Sequence, residues 1–162
     1  MARTPEQQLV DVAAATFESL AFLVQVAEDE SGEGDLAPVC AATLNFSGPF
    51  RGVLKLTVCE RVITELAGNM LAAEDEPVSD EQRTDALKEL LNVICGHLLP
   101  ILAGSKSVFH VDAPKLVDAY DIPEVLGGMP LWARTDLLLD AGRAELALYI
   151  EENARLSVGS VA

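Results

Sequence analysis

Basic residues are scarce in this sequence. Its 162 residues include 11 Lys and Arg against 26 Asp and Glu, which gives a formal net charge of −15, and the basic residues form no cluster. Nucleic acids and anionic membrane surfaces bind basic surfaces, so the composition argues against both as partners. An acidic composition otherwise indicates little beyond good solubility in water.

Cysteines and uninterrupted apolar runs are also few. The three cysteines, Cys40, Cys59 and Cys95, have no CxxC spacing, which predicts reduced thiols in small core positions rather than nucleophiles or metal ligands. The start, MARTPEQQ, lacks the basic and apolar regions of a signal peptide, and the most apolar early run contains Asp11 and Glu18. We therefore expect a cytoplasmic protein without a membrane segment.

Hydrophobic periodicity predicts one α+β domain over residues 1–162. The chain is 50% hydrophobic, enough to bury a substantial core. Two alternating hairpins and several amphipathic helices predict two layers, a mostly antiparallel sheet of about five or six strands and a layer of helices on one face. The expected order is a helix from Pro5 to about Ala27, a hairpin over Cys40–Cys59, helices from Glu60 to about Ala73 and from Asp80 to about Ala103, a strand within Ser107–Pro114, a loop or short helix over Lys115–Pro130, and a hairpin over Leu131–Ile150.

The third predicted helix carries a polar line that its packing does not require. At about 100° per residue, Asp85, Asn92 and Gly96 fall within about 60° of Glu89, away from the apolar face. Asn and Gly both weaken a helix interior, so their presence needs a reason. Either this face is ordinary solvated surface with Gly96 packed against a neighbouring strand, or it is kept bare for a partner. The predicted core face comprises Leu87, Leu90, Leu91, Ile94, Leu98 and Ile101.

The spacing of this polar line resembles the signature of the CheC/CheX/FliY family of chemotaxis phosphatases. The run from Asp85 to Asn92 fits Asp-x3-Glu-x2-Asn, Gly96 follows, and 21 residues separate Asn92 from Pro114, one fewer than in the family pattern. The order of the strand FRGVLKLTV, the helix ending in NML, an acidic loop and DALKELLNVICGHLLPILAG is similar over most of the chain. The sequence is most similar to the CheX branch, whose members carry one such helix.

The resemblance implies a function and a set of roles. Family members dephosphorylate the aspartyl phosphate of CheY-type response regulators, so Asn92 is expected to orient the hydrolytic water and Glu89 to dock on a lysine of the receiver domain. Asp85 and Gly96 are expected to belong to the partner-binding surface, where Gly96 gives clearance. The receiver brings its own Mg²⁺, so no metal or cofactor of this chain is expected. The partners implied are a phosphorylated receiver and a second copy, in a homodimer joined through the sheets.

Two other functions and one further site stay open at this point. The same helix face could serve a receiver-binding adaptor without catalysis, or a module associated with the flagellar switch. The first helix repeats the family spacing with Glu18, but Ala21 stands where the amide belongs. We expect Glu18 to be a surface charge on a packing helix, and if it is the relic of a second site, we expect that site to be inactive. His97 and His110 have no paired ligands nearby in sequence, and we expect surface residues rather than metal ligands.

Overall fold

The chain combines a layer of helices with a six-stranded sheet, as the sequence predicts. The structure is a computed structural model that describes residues 3–26, 37–71, 77–120 and 129–152. Across these ranges the elements are α1 (Pro5–Ala21), β1 (Pro38–Ser47), β2 (Gly52–Cys59), α2 (Glu60–Leu71), α3 (Asp80–Ala103), β3 (His110–Val111), β4 (Lys115–Val117), β5 (Leu131–Leu139) and β6 (Gly142–Ile150).

The sheet is antiparallel in every described pairing, with the order β3-β1-β2-β6-β5. The short β4 also pairs with β1, beside β3. Both predicted hairpins are confirmed: the first closes with Phe46 opposite Gly52, and the second with Leu139 opposite Gly142. The two hairpins meet through β2 and β6, so the centre of the sheet is built from strands distant in sequence.

The main core lies between one face of this sheet and the three helices. Alternate residues of the strands point into it, because successive side chains of a strand lie on opposite faces. The opposite face carries a smaller cluster of Val53, Ala147 and Tyr149, with Met129 packed against it. The strand residues that enter the main core include Ala42, Leu44, Phe46, Leu54, Leu56, Val58, Ala144, Leu146, Leu148 and Ile150.

Helix α3 is fixed in this core along most of its length. Its first turn is closed by a capping box, in which the Gln82 N–H donates to Ser79 Oγ at 3.1 Å and the Ser79 N–H donates to Gln82 Oε1 at 2.9 Å. Arg83 ties it to the start of α2 through an ion pair with Glu60. By length and composition α3 could also cross a membrane, but the buried core helices of soluble proteins meet the same criterion. Half of the 18-residue segment that meets it is buried inside the protein. The predicted core residues Leu87, Leu90, Leu91, Ile94 and Leu98 are buried.

The predicted end of the first helix is wrong. The helix stops at Ala21 because Phe22 adopts a left-handed conformation, with φ of 55°. Beyond it, the Asp140 N–H donates to the Val24 carbonyl at 2.9 Å, and the Val26 N–H donates to the Leu138 carbonyl at 2.9 Å. Backbone bonds to the end of β5 therefore replace the helical bonds that the apolar spacing suggested. Ala27 lies outside the described residues.

Three smaller predictions also need correction. Within Ser107–Pro114 only His110 and Val111 form a strand, since Phe109 packs its ring on Phe46 and Phe50 instead of extending the pairing. Within Lys115–Pro130 the first residues form β4 rather than a loop, and 121–128 lie outside the described residues. Ile101 is 41% exposed rather than buried, since it lies in the last turn of α3, at the edge of the core face.

Candidate functional site

The four residues of the predicted polar line share one exposed face of α3. Asp85, Glu89, Asn92 and Gly96, here called the α3 stripe, are all exposed, whereas the residues on the other side of the helix are buried. The helical rise of 1.5 Å per residue places Glu89 and Asn92 about 4.5 Å apart along the axis. Asn92 and Gly96 lie about 6 Å apart, just over one turn.

The polar side chains of the α3 stripe have no partner among the described residues. Asp85, Glu89 and Asn92 make no hydrogen bond or ion pair there. Other charged residues on the helix surfaces do pair, as Arg61 does with Glu65 and Arg83 with Glu60. The carboxamide of Asn92 is therefore free to donate and to accept, and it projects from a helix whose opposite face is locked in the core.

Gly96 is open rather than packed, which removes one of the two explanations for it. A Cβ placed on Gly96 would have no heavy atom of another described element within 4 Å. Its backbone is helical, so no left-handed conformation requires a glycine there. No strand among the described residues packs on Gly96, so the alternative of a packing glycine fails there, and the described structure leaves the face beside Asn92 bare.

Pro100 extends the bare face toward the end of α3. It lies inside the helix and is exposed, one turn beyond Gly96. A proline has no N–H, so the Gly96 carbonyl lacks the donor that closes the i to i+4 bond of an α-helix. The sequence shows that Gly96 and Pro100 are four residues apart. The loss of the hydrogen bond to the Gly96 carbonyl follows only when the whole segment 96–100 is helical.

The cysteines and histidines take no part in the α3 stripe. Burial raises the pKa of the Cys95 thiol to about 12 and also raises the pKa of Cys40, so both are protonated and poor nucleophiles at neutral pH. His97 and His110 are exposed, and no cluster of three metal-ligating side chains occurs within the described part of the chain. A hollow of about 450 Å³ on the other face of the sheet, lined in part by Asn45 and Lys115, contains no stripe residue.

The equivalent face of α1 differs from the stripe at the position of the amide. Glu18 is exposed, but Ala21 is completely buried. The Ala21 carbonyl accepts a hydrogen bond from Asn69 Nδ2 at 2.6 Å, which fastens the end of α1 to α2. An amide at residue 21 would point into the core, so α1 has no exposed pair to match Glu89 and Asn92.

The fold is similar to that of several solved CheX structures. One is CheX from Desulfovibrio desulfuricans, with a TM-score of 0.71 and 16% identity, which covers 90% of this chain and 97% of that chain. Another is CheX from Vibrio vulnificus, with a TM-score of 0.68 and 20% identity, which covers 93% of this chain and 99% of that chain. A third is CheX from Borrelia burgdorferi, solved in complex with CheY, BeF3 and Mg²⁺, with a TM-score of 0.61 and 15% identity over 90% and 97%.

The sequence itself also matches a family model. No curated protein matches this chain at a significant level. The model described as "Chemotaxis phosphatase CheX" matches residues 40–130, more than half of the chain, and this range contains the whole α3 stripe. With the fold shared over nine-tenths of its length, the chain belongs to the CheX family.

Proposed function

We propose that this protein hydrolyses the aspartyl phosphate of a CheY-type receiver domain, with Asn92 orienting the attacking water. The observation that carries the proposal is the free, exposed carboxamide of Asn92 beside Glu89 on a rigid helix. The solved Borrelia relative is a CheX bound to CheY with BeF3 and Mg²⁺, which supports a receiver domain as the partner. A convex helix face suits a protein substrate, since it can enter a cleft of the partner.

The hydrolysis requires few groups from this chain. A water oxygen attacks phosphorus, the bond from phosphorus to the aspartyl oxygen breaks, and the products are inorganic phosphate and a carboxylate. The proton of the water passes to a phosphoryl oxygen. The Asn92 carbonyl oxygen can accept a hydrogen bond from the water while its NH₂ group donates to the phosphoryl group. A water held in line in this way resembles the arrangement that glutamine provides in small GTPases.

Glu89 and Asp85 supply docking contacts in this proposal. Glu89 precedes Asn92 by nearly one turn, about 4.5 Å along the axis, so it is placed to pair with a lysine of the receiver while Asn92 reaches the phosphoryl group. A charge pair covered by the partner is oriented strongly and fixes the register of the two proteins. Asp85 lies one turn further from Asn92 and extends the acidic part of the surface.

In this proposal Gly96 gives the receiver room to approach, and the receiver supplies the metal ion. The bare space at Gly96 lets the receiver backbone approach the helix closely. Charge neutralisation at the phosphoryl group comes from the Mg²⁺ and lysine of the receiver, so this chain needs no metal or cofactor of its own. The reaction takes place where response regulators act, in the cytoplasm.

The test is the rate at which a phosphorylated receiver loses phosphate. With catalytic amounts of this protein and Mg²⁺ present, the proposal predicts a faster release of inorganic phosphate than from the receiver alone. Tight binding without acceleration would contradict catalysis and leave the adaptor function. No binding to any receiver encoded in the same genome would contradict both functions and leave a role in the flagellar switch.

A homodimer joined through the sheets is the second part of the proposal. Strand β5 is the edge strand beyond β6, and within the described ranges its outer side is paired only at its end, by residues 24–26. An edge strand offers backbone groups to which a second copy can pair. Light scattering on the purified protein measures its mass directly, and the mass of one chain at micromolar concentration would contradict the dimer.

A further inference from the structure

The backbone of α3 contains a carbonyl without its helical partner. In an α-helix, the carbonyl of each residue accepts from the N–H four residues later, and the unpaired carbonyls normally occur in the last turn. Because residue 100 is a proline, the Gly96 carbonyl loses that donor in the body of the helix. The helix resumes beyond it, where the Gly104 N–H donates to the Pro100 carbonyl at 2.9 Å.

The free carbonyl lies on the same face as Asn92. A helical carbonyl points along the axis toward the residue four positions later, so the Gly96 oxygen lies between Gly96 and Pro100. Both residues are exposed, so solvent reaches this face of the helix. Water can satisfy this oxygen in the free protein, but a partner that covers the face without donating would leave it desolvated at a cost.

We propose that the Gly96 carbonyl is a docking acceptor for the phosphorylated receiver, and that Pro100 keeps it free. This inference rests on the proposed function and adds a contact to it. The receiver donates an N–H or O–H from the rim of its phosphorylation site to the Gly96 oxygen, just over one turn from the Asn92 carboxamide. Pro100 is a positioning residue in this scheme, because it acts through the oxygen of Gly96 and need not contact the reacting atoms.

Substitutions at Pro100 separate this role from a purely structural one. Both Pro100→Ala and Pro100→Leu restore an N–H, so the helix can close its bond to Gly96 and withdraw the acceptor. We expect a higher melting temperature for both variants, because the interior proline weakens the helix. We also expect both to bind a beryllofluoride-activated receiver about tenfold more weakly, the effect of one lost hydrogen bond at an interface. The rate of phosphate release from bound, phosphorylated receiver stays unchanged.

Two controls decide what a loss of affinity means. Pro100→Leu keeps an apolar side chain, so a loss seen with alanine but not with leucine would show that an apolar side chain at residue 100 makes the contact, and the inference would be wrong. Ile101→Ala removes an exposed apolar side chain from the next position without changing the backbone donors. Its affinity should stay at the wild-type value, and a loss as large as that of the Pro100 variants would also overturn the inference.

Direct observation of the carbonyl completes the test. The ¹³C′ resonance of Gly96 should move downfield when the activated receiver is added to the wild-type protein, and it should already be shifted in free Pro100→Ala. If wild type hydrolyses the receiver phosphate while both Pro100 variants bind as tightly as wild type, only this inference fails. If wild type neither binds nor hydrolyses, the proposed function fails with it.

Discussion

Helices α1 and α3 both present a carboxylate to solvent, Glu18 on α1 and Glu89 on α3, and the position three residues further on separates them. On α3 that position is Asn92, which is exposed and has no partner among the described residues. On α1 it is Ala21, which is buried at the end of its helix and held by Asn69. A family spacing therefore indicates a site only where the helix continues and stays clear of the core.

The largest effect is expected from removing the exposed amide. Asn92→Ala should lower kcat for phosphate release about 100-fold, comparable to losing one polar group that acts on a transition state. The melting temperature should hardly change, because the side chain is exposed and unpaired. Asn69→Ala is the matched control: it removes a bonded asparagine and should lower the melting temperature without lowering kcat. Wild-type kcat in Asn92→Ala would exclude Asn92 from catalysis.

Restoring the family residue on α1 should not create a second site. Ala21→Asn buries an amide and adds volume at a filled position, so the free energy of unfolding should fall by about 2 kcal/mol or more. The exposed Ala15→Asn on the same helix is the control and should cost less than about 0.7 kcal/mol from helix propensity alone. Chemical denaturation measures both. A stable Ala21→Asn protein with raised phosphatase activity would show that the two helices are equivalent after all.

Removal of the docking carboxylate should act on binding. Glu89→Ala should raise KM about tenfold and leave kcat nearly unchanged, because a charge pair with the receiver is lost while Asn92 remains. Glu81→Ala, in the exposed first turn of the same helix, makes the same charge change away from the stripe and should have little effect. Steady-state kinetics at two salt concentrations measure this. A fall in kcat at constant KM would instead assign Glu89 a chemical role.

The smallest effect concerns the open glycine. Gly96→Ala should raise the free energy of unfolding by up to about 1 kcal/mol, since the added methyl meets no described neighbour. Gly96→Val should fold and bind the activated receiver more weakly than Gly96→Ala, because its larger side chain occupies the docking face. Gly68→Val on α2 is a matched control, as its added Cβ also meets nothing within 4 Å. A folded Gly96→Val with full affinity would leave the bare face without a role in docking.

The contrast between α1 and α3 also explains what the sequence could predict. The bounds of α3 and its buried leucines are local features, and the sequence placed them correctly. The end of α1 depends on bonds from residues 24 and 26 to β5, which is more than a hundred residues away, and apolar spacing carries no information about them. Strand β4 has three residues and exists through its pairing with β1.

The candidate site divides in the same way. The angular positions of Glu89 and Asn92 follow from helix geometry and could be predicted. Whether Gly96 is open or covered depends on where other elements cross α3, so both explanations were consistent with the sequence. The buried position of Ala21 likewise follows from the packing of α1 on α2 and β5, and only the structure shows it.

The most direct test of the account is where the receiver touches this protein. Amide chemical shifts of the ¹⁵N-labelled chain, recorded while a beryllofluoride-activated receiver is added, map the contact residue by residue. We expect the largest changes on α3 between Asp85 and Pro100, and Ala14–Ala21 of α1 should stay unchanged. Changes concentrated on α1 or on the outer face of the sheet, with α3 unaffected, would contradict it.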